Sequence, residues 1–145
     1  MQKTLLLLFI LFFTLNIAQS QTWLTDFGEA KKIALKENKK ILISFQGSDY
    51  CANCKKLNND LWPKSEFIEF ANKNYILVKA EFPRKKKNRL PKEQQEKNNK
   101  LAEAYNRNGY FPFIVILDKN AKVLGKTDYK NITALAYIDL LESFK

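Results

Sequence analysis

The apolar residues of this chain form short runs and helical stripes that are separated by polar breaks. Residues 41–45 and 113–117 are almost wholly apolar and rich in β-branched side chains, and residues 75–80 form a third such run. Runs of this length predict strands that are buried on both faces of a sheet. Residues 123–125 follow a turn at 118–121 and predict a fourth strand, joined to the third as a hairpin.

Helical periodicity occupies most of the segments between these strands. Asp26 is placed to cap a helix that ends near Asn38, and Phe27, Ala30 and Ala34 recur in it at the helical period. The same pattern predicts a helix that opens at Cys51, one over 66–71 capped by Ser65, one with its docking residues near 101–105, and one over 132–144. The alternation of strands and helices indicates an α/β fold.

The composition agrees with one globular domain and excludes several kinds of chemistry. The chain has 145 residues, of which 46% are hydrophobic, with 11 Phe, 6 Tyr, 4 Gly and 4 Pro. It contains no His and only 2 Cys. This excludes His–carboxylate hydrolases, Cys–His nucleophile pairs and imidazole metal sites. Any chemistry must therefore come from thiols, carboxylates, amines or the backbone.

The first residues predict export from the cytoplasm. Lys3 precedes an apolar stretch at 4–17, and Ala18-Gln19-Ser20 supplies the small residues that signal peptidase recognises. We therefore predict a signal peptide over 1–20, cleavage after Ser20, and a mature domain over 21–145 in the periplasm or outside the cell. An uncleaved membrane anchor is the alternative, but the apolar stretch is shorter than the roughly 20 residues that span a bilayer.

The two cysteines are the candidate reactive groups. Cys51 and Cys54 are three residues apart at a predicted strand-to-helix junction, where the free N–H groups and the positive end of a helix stabilise a thiolate. Cys51 is then the attacking thiolate, and Cys54 resolves the mixed disulfide. The positive charges of Lys55 and Lys56 also stabilise the thiolate, whereas the negative charge of Asp49 destabilises it if this side chain turns toward Cys51. The alternatives are a structural disulfide and a zinc site shared between two chains.

In order and spacing, these segments resemble the thioredoxin superfamily, and the most similar group is exported bacterial thioredoxin-like proteins whose motif ends in Cys-Lys. The resemblance implies a thioredoxin fold, with a central mixed β-sheet flanked by helices on both faces. The matching residues are Trp23, Phe27 and Ala30 in the opening helix, residues 40–45, residues 47–56 around the cysteines, the helix with Phe67 and Phe70, residues 78–83, and residues 109–118.

The resemblance also implies a cis-proline loop at Pro112. A cis bond after Phe111 turns the backbone of that residue toward the thiols, where it can pair with an extended partner peptide. An ordinary trans proline that enters a strand is the alternative. We expect Tyr50, Tyr110 and Phe111 to surround the thiols as a docking patch, with Tyr50, Phe111 and Pro112 binding substrate, and we expect Trp62 to lie in the core.

Two departures from the family pattern concern the chemistry of the thiols. Ala52-Asn53 replaces the familiar Gly-Pro between the cysteines, which alters the reduction potential. Ser44 stands where thioredoxins have a buried acid, so the usual proton acceptor for the resolving thiol is missing. Glu81 and Asp49 are the candidate substitutes.

A polar insertion at 83–99 carries a strongly basic run at its start. Five of the six residues 84–89 are Lys or Arg, in a chain whose formal net charge is +10. Such a run can bind nucleic acid or an anionic membrane, or it can be a solvated insertion. Because it lacks interleaved aromatic residues and the chain is predicted to be exported, we expect no nucleic acid partner. Docking of a partner protein is the best functional alternative.

These observations predict an exported thiol–disulfide oxidoreductase that acts on protein thiols and disulfides through Cys51 and Cys54. We expect this protein to need no bound cofactor or metal and to be a monomer. A membrane electron donor is a candidate partner. The direction of the reaction depends on the reduction potential and stays open. The alternative is a thioredoxin-fold binding or chaperone module whose basic insertion recognises an acidic partner. Asn131-Ile132-Thr133 at a helix start is interpreted as helix capping rather than as a glycosylation site.

Overall fold

The computed structural model describes residues 20–145, and the predicted signal peptide lies outside them except for Ser20. A five-stranded sheet with the order β1-β3-β2-β4-β5 forms its centre. The strands β1 and β2 run parallel to β3, whereas β4 runs antiparallel to β2 and β5 antiparallel to β4. The sheet is therefore mixed, as the resemblance implied. The strands are β1 Trp23–Leu24, β2 Lys40–Gln46, β3 Tyr75–Glu81, β4 Phe113–Leu117 and β5 Val123–Thr127.

Helices cover both faces of this sheet, which confirms the predicted three-layer α/β architecture. One hydrophobic cluster packs α1 and α4 against one face, and a second packs α3, α5 and the π-helical continuation of α2 against the other. The helix α2 continues into a π-helical turn at Leu57–Leu61, just before Pro63. The helices are α1 Phe27–Glu37, α2 Ala52–Lys56, α3 Ser65–Asn74, α4 Lys92–Tyr105 and α5 Ala134–Glu142. None of the helices within residues 20–145 is both long and apolar enough to cross a bilayer.

The alternation of side chains along β2 explains how the sheet supports α2. Ile41, Ile43 and Phe45 face the cluster of α1 and α4, whereas Leu42 faces the cluster of α2. With the strand period of two, Ser44 follows Leu42 on the α2 face and is fully buried. The carboxyl end of β2 therefore presents polar groups to the underside of α2.

Trp23 corrects the prediction for the start of the chain. It was expected in the opening helix, but it lies in the edge strand β1, where it pairs with Leu77. Its ring centroid lies 5.4 Å from that of Trp62, which is buried as predicted. A strand of two residues has too short a pattern to be recognised from periodicity.

The helix ends differ from the predictions by a few residues. Ser65 is the first residue of α3 and not its cap, and the helix continues to Asn74, beyond the predicted end at residue 71. The last helix is shorter at both ends than the predicted 132–144. Its Thr133 side chain accepts a hydrogen bond from the N–H of Ala136 at 3.2 Å, which confirms the capping role of this segment.

Candidate active site at the Cys51–Cys54 pair

Cys51 and Cys54 form a disulfide at the start of α2, with their Cα atoms 5.2 Å apart. Cys51 is the N-cap residue of the helix, and its Sγ accepts a hydrogen bond from the N–H of Cys54 at 3.1 Å. Cys51 is partly exposed, whereas Cys54 is completely buried. The sulfur that a partner can reach is thus that of Cys51, and this sulfur also accepts a hydrogen bond from the N-terminus of α2.

A tight turn at Gly47 brings the chain from β2 to the cysteines. The Gly47 carbonyl accepts hydrogen bonds from the N–H groups of Tyr50 and Cys51, at 3.1 and 2.8 Å. The ring of Tyr50 folds back over Gly47 and fills the space that a Cβ at this position would need. A residue with a side chain would have to displace Tyr50, so the turn and the position of Tyr50 depend on each other.

The loop before β4 carries the predicted proline. The Phe111–Pro112 peptide bond is cis, as the resemblance implied, and Pro112 is buried. Gly109 begins the loop in the left-handed region, with φ of 65°. Asn106, just after α4, holds this loop through its side-chain amide, which donates to the Tyr110 carbonyl at 2.9 Å and accepts from the Tyr110 N–H at 3.1 Å.

Asn106 was not predicted from the sequence to be a functional residue. The residue is 4% exposed, although it follows a largely polar helix and precedes a polar turn. The one available signal was an Asn close to a helix end and three residues before a Gly, which is common in loops that have no special role. Its role in holding the loop is seen only in the folded structure, where Tyr110 returns to hydrogen-bond with it.

Aromatic rings connect the cysteine loop to the proline loop. Tyr50 meets Phe111 edge to face, with 6.5 Å between the ring centroids, and Phe111 packs at a tilt against Phe82, with 5.3 Å between the centroids. Tyr110 is 58% exposed, and its ring meets that of Phe113 edge to face. The structure therefore brings together Tyr50, Phe111 and Pro112, the residues predicted to bind substrate. On the side of Asn53, a groove of about 660 Å³ runs along Tyr110, Phe111 and Pro112 toward β5.

A hydrogen-bonded polar network lies at the carboxyl ends of β2 and β3. The Asn58 amide donates to Gln46 Oε1 at 2.7 Å and to Ser48 Oγ at 3.2 Å, and Gln46 Nε2 donates to Ser44 Oγ at 2.7 Å. Glu81 accepts from both the hydroxyl and the N–H of Ser48. Asn58 is one turn after Cys54 on the same helix. Of the two candidate acids, Glu81 is therefore the one that this network reaches.

Asp49, which was considered as a proton acceptor for the resolving thiol, contacts the basic run instead. Its carboxylate accepts hydrogen bonds from the N–H groups of Arg84 and Lys85, at 3.1 and 2.8 Å, and from Asn88 Nδ2 at 3.1 Å. Desolvation acts to raise the pKa of this carboxyl, but the hydrogen bonds from Lys85 and Arg84 outweigh it, and the pKa lies below the ordinary value. Asp49 thus holds the start of the basic run rather than serving the thiols.

The basic run consequently lies next to the cysteines. The guanidinium carbon of Arg84 is 3.9 Å from the centroid of the Tyr50 ring, which is a close cation–π contact. Lys86–Asn88 form a short 3-10 turn, and the polar stretch then enters α4 at Lys92. No part of this insertion was predicted from the sequence to lie at the candidate site.

The fold and the arrangement of this site define a thioredoxin-like protein. A family model described as Thioredoxin-like matches residues 22–119, and the chain belongs to this family. It is 32% identical over 130 residues to the disulfide bond reductase DsbH of Chlamydia pneumoniae, an alignment that covers 90% of this chain and 76% of that protein.

Solved structures give the same result. A DsbH oxidoreductase superposes with a TM-score of 0.79 at 31% sequence identity, covering 88% of this chain and 87% of that chain. The oxidised C-terminal domain of DsbD from Neisseria meningitidis superposes with a TM-score of 0.56 at 11% identity, covering 81% and 91%. The second comparison shows a shared fold alone.

Proposed function

We propose that this protein is a thiol–disulfide oxidoreductase that reduces protein disulfides in the periplasm through Cys51 and Cys54. The observation that carries the proposal is the pairing of a partly exposed Cys51 with a buried Cys54 at a helix N-terminus. The similarity to a disulfide bond reductase supports the reducing direction. Family membership supports the oxidoreductase activity itself.

The reaction follows from the different positions of the two sulfurs. In the reduced protein, the Cys51 thiolate attacks one sulfur of a partner disulfide, forms a mixed disulfide and expels the other partner sulfur as a thiolate, which takes up a proton. The Cys54 thiol then loses its proton and attacks Cys51 Sγ, which releases the second partner thiolate. Two electrons pass to the partner, and the Cys51–Cys54 disulfide is restored.

The proline loop is positioned to bind the partner chain. We propose that an extended peptide pairs with the backbone of Phe111 beside Pro112, with Tyr50 on one side of it. The groove beside Asn53 supports this assignment because it offers a surface next to the disulfide and along the same loop. The chemistry requires only protein thiols and disulfides, so no bound cofactor or metal takes part.

The proposal includes a compartment and a source of electrons. Residues 1–20 act as a signal peptide that is cleaved after Ser20, and residues 21–145 are the mature domain, a monomer that a membrane electron donor reduces. The single positive charge of Lys3, the apolar stretch at 4–17 that follows it and the small residues at 18–20 support this part of the proposal. Mass spectrometry of the exported protein tests it, because a mature protein that starts at Met1 contradicts it.

Trapping experiments test the roles of the two cysteines. Cys54→Ser is expected to accumulate a covalent mixed disulfide with partner proteins, because the resolving thiol is missing, whereas Cys51→Ser is expected to trap none. Equal trapping by the two variants would refute the assignment of roles. An assay of insulin reduction separates an oxidoreductase from a binding or chaperone module, since a reduced sample without any activity favours the module.

Titration against a glutathione buffer tests the direction. A reductase requires a Cys51–Cys54 couple with a more negative reduction potential than the disulfides it reduces, and about 30 mV corresponds to about 1.4 kcal/mol for a two-electron couple. A reduction potential as high as that of the strong oxidants of this family, about −120 mV, would contradict the reducing direction. The experiment is independent of which partner protein is used.

A further inference from the structure

We propose that residues 84–89, the basic segment, form part of the docking surface for partner proteins and favour disulfides that are flanked by acidic side chains. This inference rests on the proposed function, because it names the class of partner that the same pair of cysteines would reduce. The position of the basic segment, its contacts with the aromatic residues of the site and its lack of ion-pair partners within residues 20–145 support it.

The position of the basic segment is set by the loop that carries the cysteines. Asp49 is two residues before Cys51, and its carboxylate binds the backbone N–H groups of Arg84 and Lys85 and the side chain of Asn88. These contacts span both ends of the 3-10 turn Lys86–Asn88. The basic segment is therefore held beside the reactive disulfide instead of extending freely into solvent.

Contacts between side chains join the basic segment to the proline loop. The Arg84 guanidinium lies over the Tyr50 ring, and the Tyr50 ring in turn meets Phe111 edge to face. Tyr50 and Phe111 are the residues that the proposed function places against a bound peptide. A chain bound along Phe111 therefore lies within reach of the positive charges that follow Arg84.

The charges of the basic segment are available to a partner. All of its five basic side chains are exposed, and within residues 20–145 none of them lies within 4.0 Å of a carboxylate in an ion pair. Two lysines of α4 differ in this respect, since Lys92 pairs with Glu96, and Lys97 pairs with both Asp26 and Glu93. Within residues 20–145, the basic side chains close to the site thus have no ion-pair partner, whereas Lys97, farther along the chain, has two carboxylate partners.

An acidic polypeptide fits this arrangement better than a neutral one. Complementary charge beside a binding site accelerates association by about 10- to 1,000-fold at low ionic strength, and salt suppresses the effect. The Debye length of about 8 Å at physiological ionic strength still covers residues that flank the reacting disulfide. The basic segment is therefore expected to act on the rate of encounter rather than on the chemistry of the thiols.

Single-turnover kinetics of the reduced full-length mature protein test the inference. The probes are three disulfide peptides with the same core and acidic, neutral or basic flanks, together with the uncharged hydroxyethyl disulfide. The test variant is Lys85→Gln/Lys86→Gln/Lys87→Gln, which leaves the backbone contacts to Asp49 in place. The matched control is Lys36→Gln/Lys73→Gln/Lys122→Gln, which removes the same charge from exposed positions at the opposite end of the sheet.

We expect the test variant to lose about tenfold or more of the rate with the acidic peptide at low salt, and to change less than about twofold with hydroxyethyl disulfide. The control variant should keep most of the preference for the acidic peptide. An unchanged acidic-peptide rate in the test variant would overturn the inference, as would an equal loss in the control. If the test variant instead lost binding to phosphatidylglycerol vesicles without any change in peptide rates, the basic segment would be a membrane surface and the inference would be wrong.

These outcomes also separate the inference from the proposed function. A wild-type protein that reacts with hydroxyethyl disulfide, but equally fast with all three peptides, is an oxidoreductase without charge selection. A wild-type protein that does not react with hydroxyethyl disulfide after full reduction contradicts the proposed function itself.

Discussion

The side-chain amide of Asn106 satisfies both backbone groups of Tyr110, accepting from its N–H at 3.1 Å and donating to its carbonyl at 2.9 Å. Asn106 is buried at the end of α4, and Tyr110 is two residues before Pro112. The end of the helix thereby holds the loop that carries the cis proline. We expect Asn106→Ala to lower the free energy of unfolding by about 1–3 kcal/mol, because the two partly buried hydrogen bonds of this side chain are lost. Urea denaturation measures this loss.

The same variant should also affect the reaction with protein disulfides. A loosened loop places Phe111 less well for a bound peptide, so we expect a larger fall in the rate with a peptide disulfide than with hydroxyethyl disulfide. Asn108→Ala is the control, because Asn108 is exposed in the same loop. Equal stability of the Asn106 and Asn108 variants would show that Asn106 does not hold the loop.

Gly47 and Tyr50 form a coupled pair. A Cβ at residue 47 would collide with the Tyr50 ring, so we expect Gly47→Ala to displace Tyr50 and destabilise the protein by about 1–3 kcal/mol. In a Tyr50→Ala background the collision is absent, and the same substitution should cost much less. A double-mutant cycle with urea denaturation measures the difference. Additive effects would mean that the turn itself, and not Tyr50, excludes a side chain.

The contact between Asp49 and the basic segment should depend on pH in a defined direction. Desolvation acts to raise the pKa of Asp49, but the hydrogen bonds from Lys85, Arg84 and Asn88 together outweigh it and hold this pKa below its ordinary value. A carboxyl whose pKa is lowered by folding adds stability above its unfolded pKa and loses that stability as the pH falls through the folded pKa. We therefore expect Asp49→Ala to lower the Tm equally at about pH 5 and about pH 8, with the difference shrinking below about pH 4.

Proteolysis provides a second measurement of the Asp49 contact. The basic segment contains the preferred cleavage sites of trypsin, and it is held at the surface by Asp49. Asp49→Ala should increase the rate of tryptic cleavage within 84–89 at neutral pH. Asp60→Ala is the control, because Asp60 is exposed on the turn after α2. Equal cleavage of the two variants would show that the basic segment is held by other contacts.

Glu81 is the carboxylate that we expect to accept a proton from the resolving thiol. It binds Ser48, which the polar network connects to Asn58, one turn beyond Cys54. Glu81→Gln should slow the resolution step by Cys54 more than the attack by Cys51, and it should change the pH profile of resolution. Stopped-flow measurement of mixed-disulfide formation and decay separates the two steps. Glu103→Gln, an exposed change on α4, is the control, and an unaltered pH profile for Glu81→Gln would exclude this role.

Much of the fold could be predicted because its signals are local. The apolar runs that form β2, β3 and β4 contain enough β-branched and aromatic residues to be recognised as strands. The spacing of Cys51 and Cys54 after such a run indicates a helix N-terminus. The cis bond at Pro112 followed from the family resemblance rather than from periodicity. The observed helix ends differ from the predicted ones because a cap residue such as Lys64 makes no side-chain capping bond that the sequence could indicate.

By itself, the sequence determined the α/β class, the position of the disulfide at a strand-to-helix junction, and the presence of a strongly basic segment. Only the tertiary structure decided that this segment lies beside the disulfide, because the contacts of Asp49 with Arg84 and Lys85 join residues 35 and 36 positions apart. It also decided that Glu81 joins the network below α2 and that Asn106 braces the proline loop. Such contacts depend on which strands become neighbours in the sheet, and a periodic pattern along the chain carries no information about that.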